Sequence, residues 1–440
     1  MVPDTYHNKQ SAIATKTRAL PYRVRVPLVA IALVAISVLL GALTSTLPVA
    51  AQQATATPAA ASPIAPAGSM RSSTMMTSTG LLTATTIATD PLGILTTLPV
   101  TASLDVTTAL TGISPTITAG KPTAIMQAIL NELAAFKAPP IEQLSPRNAR
   151  EVPLAGDAVT AYLAKNGKTV APEAVGSVTH RLIPALNNDN ILLRVYTPKG
   201  TGPFPLIVYI HGGGWVIANL DKYDSSARAL TNAAQAVVVS VAYRQAPEHQ
   251  FPASIEDVYA AYLWVTTNAS TLQGDAKHIA VVGESAGGNM ATAVSRLALQ
   301  RGDPRPVYQV LVYPVTQLVT TTTPSAKTYA AASPLNTPML KWFGGYYLAT
   351  PAEATNIYAS PLLATDLKGL PPTTIIAAEI DPLLSEGQAY ANRLQAAGVP
   401  VVYQLYKGVT HEFFGMGAAL PEAKQAVALA AKGLTAAFKK

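Results

Sequence analysis

The chain of 440 residues contains no cysteine. That excludes disulfides, thiolate zinc sites, iron–sulfur clusters, a cysteine nucleophile and an acylated lipoprotein anchor. Charge is scarce as well. Asp, Glu, Lys and Arg make up 12% of the residues, where an average soluble protein carries about 25%. So low a value fits a secreted or surface-exposed chain, or an apolar segment joined to a neutral tail. The net charge of +7 is unevenly placed. Lys9, Lys16, Arg18, Arg23 and Arg25 are opposed by Asp4 alone, which puts +4 in the first 25 residues and leaves +3 for the rest. A basic leader is not a nucleic-acid footprint, and no nucleic-acid partner is expected.

Behind that leader, Val26 to Leu43 is an almost unbroken apolar run, followed by Thr44-Ser45-Thr46 and then Val49-Ala50-Ala51. A basic n-region, an apolar stretch and short side chains at −3 and −1 predict a secretory signal over residues 1–51, cut after Ala51. A run of about 18 apolar residues is also long enough for an uncleaved membrane anchor. Both readings place the rest of the chain outside the cytoplasmic membrane, periplasmic or extracellular. Residues 52–120 are rich in Ala, Thr, Ser and Pro, with Arg71, Asp90 and Asp105 their only charges. Such a segment buries too little apolar surface to offset its ordering entropy, and it reads as a low-complexity linker.

Residues 121–440 read as one globular domain. Thr123 opens a helix with apolar residues at Ile125, Ile129, Leu130 and Leu133, stopped before Pro139-Pro140. Further on, strand-like runs at 206–210, 236–241, 279–282, 307–312, 374–377 and 401–406 alternate with helical patterns at 253–267, 286–300, 386–397 and 421–438. That alternation predicts an α/β fold, a mainly parallel sheet with helices on both faces.

The chemistry is carried by three motifs. Gly283-Glu284-Ser285-Ala286-Gly287-Gly288 follows a strand and opens a helix. This is the context of a G-x-S-x-G nucleophile elbow, in which larger residues at Gly283 and Gly287 would clash with a sharp turn. His211-Gly212-Gly213-Gly214-Trp215 directly follows the strand at 206–210. Three glycines let backbone N–H groups approach a substrate oxygen closely, and His211 reads as a brace for the loop rather than a base. No G-K-[ST] ending makes it a phosphate loop. In a fold of this kind the base follows the serine in the chain. Of His7, His180, His211, His249, His278 and His411, only His411 does so. It is expected on a short loop, 407–410, after the strand at 401–406. The acid must lie between Ser285 and His411. Asp381 is chosen, with Glu379 in reserve, because both end the strand at 374–377. His411-Glu412 lacks the second His of H-E-x-x-H, so no metal is expected, and no cofactor motif is present.

These residues resemble the hormone-sensitive-lipase-like (family IV) esterases of the α/β-hydrolase superfamily. The likeness runs from about Ala124 to Lys440 and includes HGGGW at 211–215, YRQAPEHQFPA at 243–253, GESAGG at 283–288, IDPLLSEG at 380–387 and THEFFGM at 410–416. It implies Ser285 as nucleophile, Asp381 as acid and His411 as base. It implies Gly213, Gly214 and the Ala286 N–H as oxyanion donors, with Gly212 shaping the turn. It also implies a helical cap over the acyl pocket, made from the helices before about Arg150 and a segment near 334–347, with Trp342 and Phe343 as lining. The implied substrates are small carboxylic esters with short- to medium-chain acyl groups.

Three positions depart from the family pattern. Ala242 stands where Asp is common, Gln245 where Leu is common, and Glu412 where the base is commonly followed by Gly. Glu412 is expected to alter the charge beside the base. A lactone, carbamate or amide bond, or a non-catalytic binding role, remains the alternative to an ester. The natural substrate and the oligomeric state are not legible.

Overall fold

The computed structural model describes residues 104–440 apart from Pro115 and residues 186–188. The leader at 1–51, with its apolar run, and most of the linker lie outside the described residues. Among the described residues, no helix is long and apolar enough to cross a membrane.

One sheet of eight strands organises the domain: β1 (Ser177–Pro184), β2 (Asn190–Thr197), β3 (Phe204–Ile210), β4 (Val237–Ala242), β5 (Gly274–Glu284), β6 (Gln309–Val312), β7 (Thr373–Ile380) and β8 (Val401–Thr410). Their order is β1-β2-β4-β3-β5-β6-β7-β8. β1 and β2 are antiparallel to their neighbours, and β4 through β8 run parallel. The central strands are apolar on both faces because both faces are covered. Leu206, Val208 and Ile210 of β3 point into one core, and Ile207 and Tyr209 into the other. The first core is closed by helices Ala253–Asn268, Ala286–Arg301 and Leu384–Ala396, and the second by Asp224–Ala234, Pro421–Ala437 and Ala124–Ala135. Thr123 caps the last of these, accepting from the Met126 N–H at 3.3 Å.

Three features differ from expectation. β1 and β2 emerge without a strong pattern, because β1 is an edge strand with most side chains in solvent. β8 does not stop at 406 but runs on through Thr410. Its pairing with β7 jumps from Ala378↔Tyr406 to Ile380↔Thr410, so the stretch read as a loop is a bulge. Gly408 takes φ +69 there, and its N–H donates to Glu379 Oε2 at 2.7 Å. Finally, the end of the segment read as linker packs on the domain. Ala109 is buried in the first core, the Leu104 N–H donates to Leu363 O at 2.9 Å, and the Gly120 N–H donates to Tyr329 Oη at 3.0 Å. Composition alone hides this, since the docking surface comes from residues more than 200 positions away.

Candidate active site

The site lies at the C-terminal ends of β3, β5, β7 and β8. β5 turns sharply into helix Ala286–Arg301, and Ser285 at that turn has φ +56 and ψ −118, unusual for a residue with a side chain. The glycines beside it are forced by space. A Cβ at Gly283 collides with the Gly287 carbonyl, and one at Gly287 collides with the Ile210 carbonyl. The serine N–H donates to Val312 O at 2.9 Å, which ties the elbow to β6.

The β7–β8 register pairs Ile380 with Thr410 and so places the next residues, Asp381 and His411, side by side. His411 Nδ1 donates to Asp381 Oδ2 at 2.7 Å. The Ser285 hydroxyl donates to His411 Nε2 at 2.9 Å. Asp381 is fully buried, and its Oδ1 accepts from the Leu383 N–H at 2.9 Å. The reserve acid, Glu379, faces the β8 bulge instead. Burial pulls the His411 pKa down, but the Asp381 charge and hydrogen bond, with Glu412 and Glu284 beyond, push it above the ordinary value.

The glycine loop is built for backbone contact. Gly213 and Gly214 have φ +101 and +59, and a Cβ on Gly214 would run into the Phe343 ring. Ala286 sits in the first helical turn, where N–H groups have no partner within the helix. His211 Nδ1 donates to the Gly212 carbonyl at 2.8 Å, and its ring stacks on Tyr243 at 4.4 Å. Burial pushes its pKa down to about 4, so it is neutral at pH 7 and braces the loop. Gln245 donates to Ile217 O and Ala218 O at 2.8 and 3.1 Å, pinning the turn behind the loop. Arg150 donates to Val216 O and Ala246 O, both at 2.8 Å, and pairs with Glu248, so the cap and loop are tied together.

Two cavities meet at Ser285, with Gly214, Leu335 and Phe343 shared between them. One, about 360 Å³, is walled by His411, Glu412 and the cap residues Leu133 and Pro139. The other, about 530 Å³, is walled by Val315, Leu318, Leu340 and Leu348. Trp342 lines neither, and its indole N–H props the cap on Leu144 O at 3.1 Å. The first cavity, with the early cap helices over it, therefore contains the imidazole.

Sequence reasoning did not find the buried acid network behind the serine. Glu284 accepts from Tyr209 and Tyr313, and burial, helped by Glu412, raises its pKa to about 7. Tyr223, also missed, donates to Glu412 Oε1 at 2.6 Å. The motif itself marks Glu284, but the tyrosines come from three separate segments with no local signal.

A serine on a strand-to-helix elbow, hydrogen-bonded to a histidine over a mostly parallel sheet, defines the class of α/β hydrolases. A family model for the alpha/beta hydrolase fold matches residues 207–415. Ethyl acetate hydrolase of Pseudomonas putida is 34% identical over 272 residues, 61% of this chain and 84% of that one. Carboxylesterase NlhH of Mycobacterium tuberculosis is 41% identical over 241 residues, 54% of this chain and 75% of its own. A solved esterase from Pyrobaculum calidifontis superposes with a TM-score of 0.64 at 37% identity, covering 72% of this chain and 98% of its own. The chain belongs to the family IV esterases of the α/β-hydrolase superfamily and is a carboxylesterase-type hydrolase.

Proposed function

We propose that the protein is an exported serine esterase that cleaves small carboxylic esters through a covalent acyl-enzyme. The observation that carries the reading is the hydrogen-bonded chain Ser285–His411–Asp381, with links of 2.9 and 2.7 Å. Ser285 Oγ attacks the ester carbonyl while His411 Nε2 takes its proton. Asp381 orients the imidazole and stabilises its charged form. The N–H groups of Gly213, Gly214 and Ala286 receive the developing oxyanion, a donor set in which each member contributes about 10²–10³ in rate.

His411 then protonates the departing alcohol, so the alcohol belongs in the cavity that His411 walls. The acyl chain extends into the other, apolar cavity, which suits short- to medium-chain acyl groups. Water afterwards enters from the alcohol side, gives its proton to His411, and releases the acid.

The test is hydrolysis of a chromogenic acyl series, C2 to C12, by the wild type beside Ser285→Ala. The variant is expected to lose about 10⁶ in kcat. An unchanged rate in the variant, or no turnover of any ester by folded wild type, overturns the reading. Export is tested by fractionating cells and sequencing the mature N-terminus. Gln52 as the first residue supports cleavage, an intact leader in the membrane fraction supports the anchor, and cytoplasmic recovery overturns both.

A further inference from the structure

We propose that Glu412 holds the water that deacylates the enzyme and so commits the acyl-enzyme to hydrolysis rather than transfer to an alcohol. The inference rests on the acyl-enzyme reading of Ser285. Three observations converge on Glu412. Its Oε1 lies 3.9 Å from His411 Nε2, and the residue walls the alcohol-side cavity next to Ser285. Its backbone is left-handed, φ +68, a conformation glycine adopts freely and a glutamate does not. Its carboxylate is held in place: Tyr223 Oη donates to Oε1 at 2.6 Å, and the same hydroxyl packs so closely on Gly212 that a Cβ there would collide with it. The carboxylate is thus fixed relative to both the base and the glycine loop. Strain tolerated beside a reacting centre is a sign of function rather than of packing.

The chemistry follows from counting hydrogens. Once Ser285 is acylated, Nε2 no longer receives the serine proton and is free to accept. Two acceptors 3.9 Å apart can share one water molecule through ordinary hydrogen bonds of about 2.8 Å. Water has two O–H groups. One proton passes to Nε2 as the oxygen attacks the acyl carbon, and the other stays on the oxygen and is held by Glu412. The C–Oγ bond then breaks, and the imidazolium returns its proton to Oγ. A simple alcohol has a single O–H, which goes to Nε2, so it donates nothing to Glu412. Its alkyl group would instead face a carboxylate. Glu412 touches the nucleophile but transfers no proton, so it is a positioning residue whose effect is selectivity between acceptors.

The experiment compares the full-length wild type with Glu412→Gly and Glu412→Gln, using a chromogenic acetate ester in buffered water with added methanol. Acylation is read from the pre-steady-state burst. Partition of the acyl-enzyme is read as the ratio of methyl acetate to acetate. Glu412→Gly is expected to raise that ratio about tenfold, the size of one hydrogen bond. Glu412→Gln keeps an acceptor oxygen and is expected to fall between the two. A cooperative thermal transition well above the assay temperature in both variants separates the effect from unfolding. An unchanged product ratio overturns the proposal, as does equal slowing of burst and turnover at constant ratio. Failure of the underlying reading has a different signature: no burst from the wild type, and no acyl adduct on Ser285 by mass spectrometry.

Discussion

At the scale of single residues, the site depends on which protonation state each buried group holds. In the proposed mechanism His411 must be neutral to accept the serine proton; burial pulls its pKa down, but Asp381, with help from Glu412 and Glu284, pushes it up overall. Activity is therefore expected to fall as pH drops through a value above the ordinary imidazole pKa of about 6.5. A kcat/KM profile reads this directly, and a rate flat from about pH 5 to 8 speaks against His411 as base. Asp381 and Glu379 are two residues apart in sequence but differ in task, since only Asp381 touches the imidazole. Asp381→Asn is expected to cost about 10⁴ in kcat. Glu379→Gln is expected to leave kcat within about threefold and to lower Tm, because it weakens only a hydrogen bond to the β8 bulge.

At the scale of elements, two tight turns make the site. The elbow between β5 and helix Ala286–Arg301 has no room for a side chain at Gly287, where a Cβ meets the Ile210 carbonyl. Gly287→Ala must push β3 away from the helix, and a backbone neighbour does not move as a flexible side chain does. Thermal unfolding is expected to register a loss of several degrees. The glycine loop after β3 is held from behind by Gln245, which binds Ile217 O and Ala218 O. Gln245→Leu restores the side chain common in the family but removes both bonds. It is expected to reduce kcat/KM by about tenfold and to slow the burst of acylation by a similar factor, since each lost hydrogen bond is worth about 1 kcal/mol. A loop rigid without Gln245 would show no change.

At the scale of the whole molecule, stability is coupled to pH through acids that the fold buries. Glu284 and Glu386 are both raised to about 7, each by burial first. The folded state then binds protons that the unfolded state has already lost. Their contribution is full below the ordinary carboxylate pKa and is lost as pH rises through about 7. His211, pushed down to about 4, acts in the opposite sense: its contribution is lost as pH falls from the ordinary imidazole value. Above that value His211 no longer opposes them and His411, itself raised, acts in the same sense as the acids, so Tm is expected to decline as pH rises from about 6.5 through 7, and Glu284→Gln is expected to lessen the decline. The N-terminal boundary is the other property at this scale. Because Leu104, Ala109 and Gly120 engage the domain, a chain starting at Lys121 is expected to melt below one starting at Leu104. Equal melting temperatures would mean that this stretch contributes nothing to stability.

The sequence by itself determined the α/β class and marked the motifs from which Ser285, Asp381 and His411 are read. Those signals are local: apolar runs long enough for one strand, glycines where a turn has no space, and a single histidine downstream of the serine. Tertiary structure decided the rest, because it depends on residues far apart in the chain. Asp381 is preferred to Glu379 in the sequence, but the reason that only Asp381 meets the imidazole lies in the register of β7 against β8, including a bulge that reads as a loop when only the last apolar residues are counted. The tyrosines around Glu284 and Glu412, the two cavities meeting at Ser285, and the docking of residues 104–120 arise from side chains brought together only by folding. Local pattern records where a chain turns and what it buries; it does not record which distant side chain fills the space opposite.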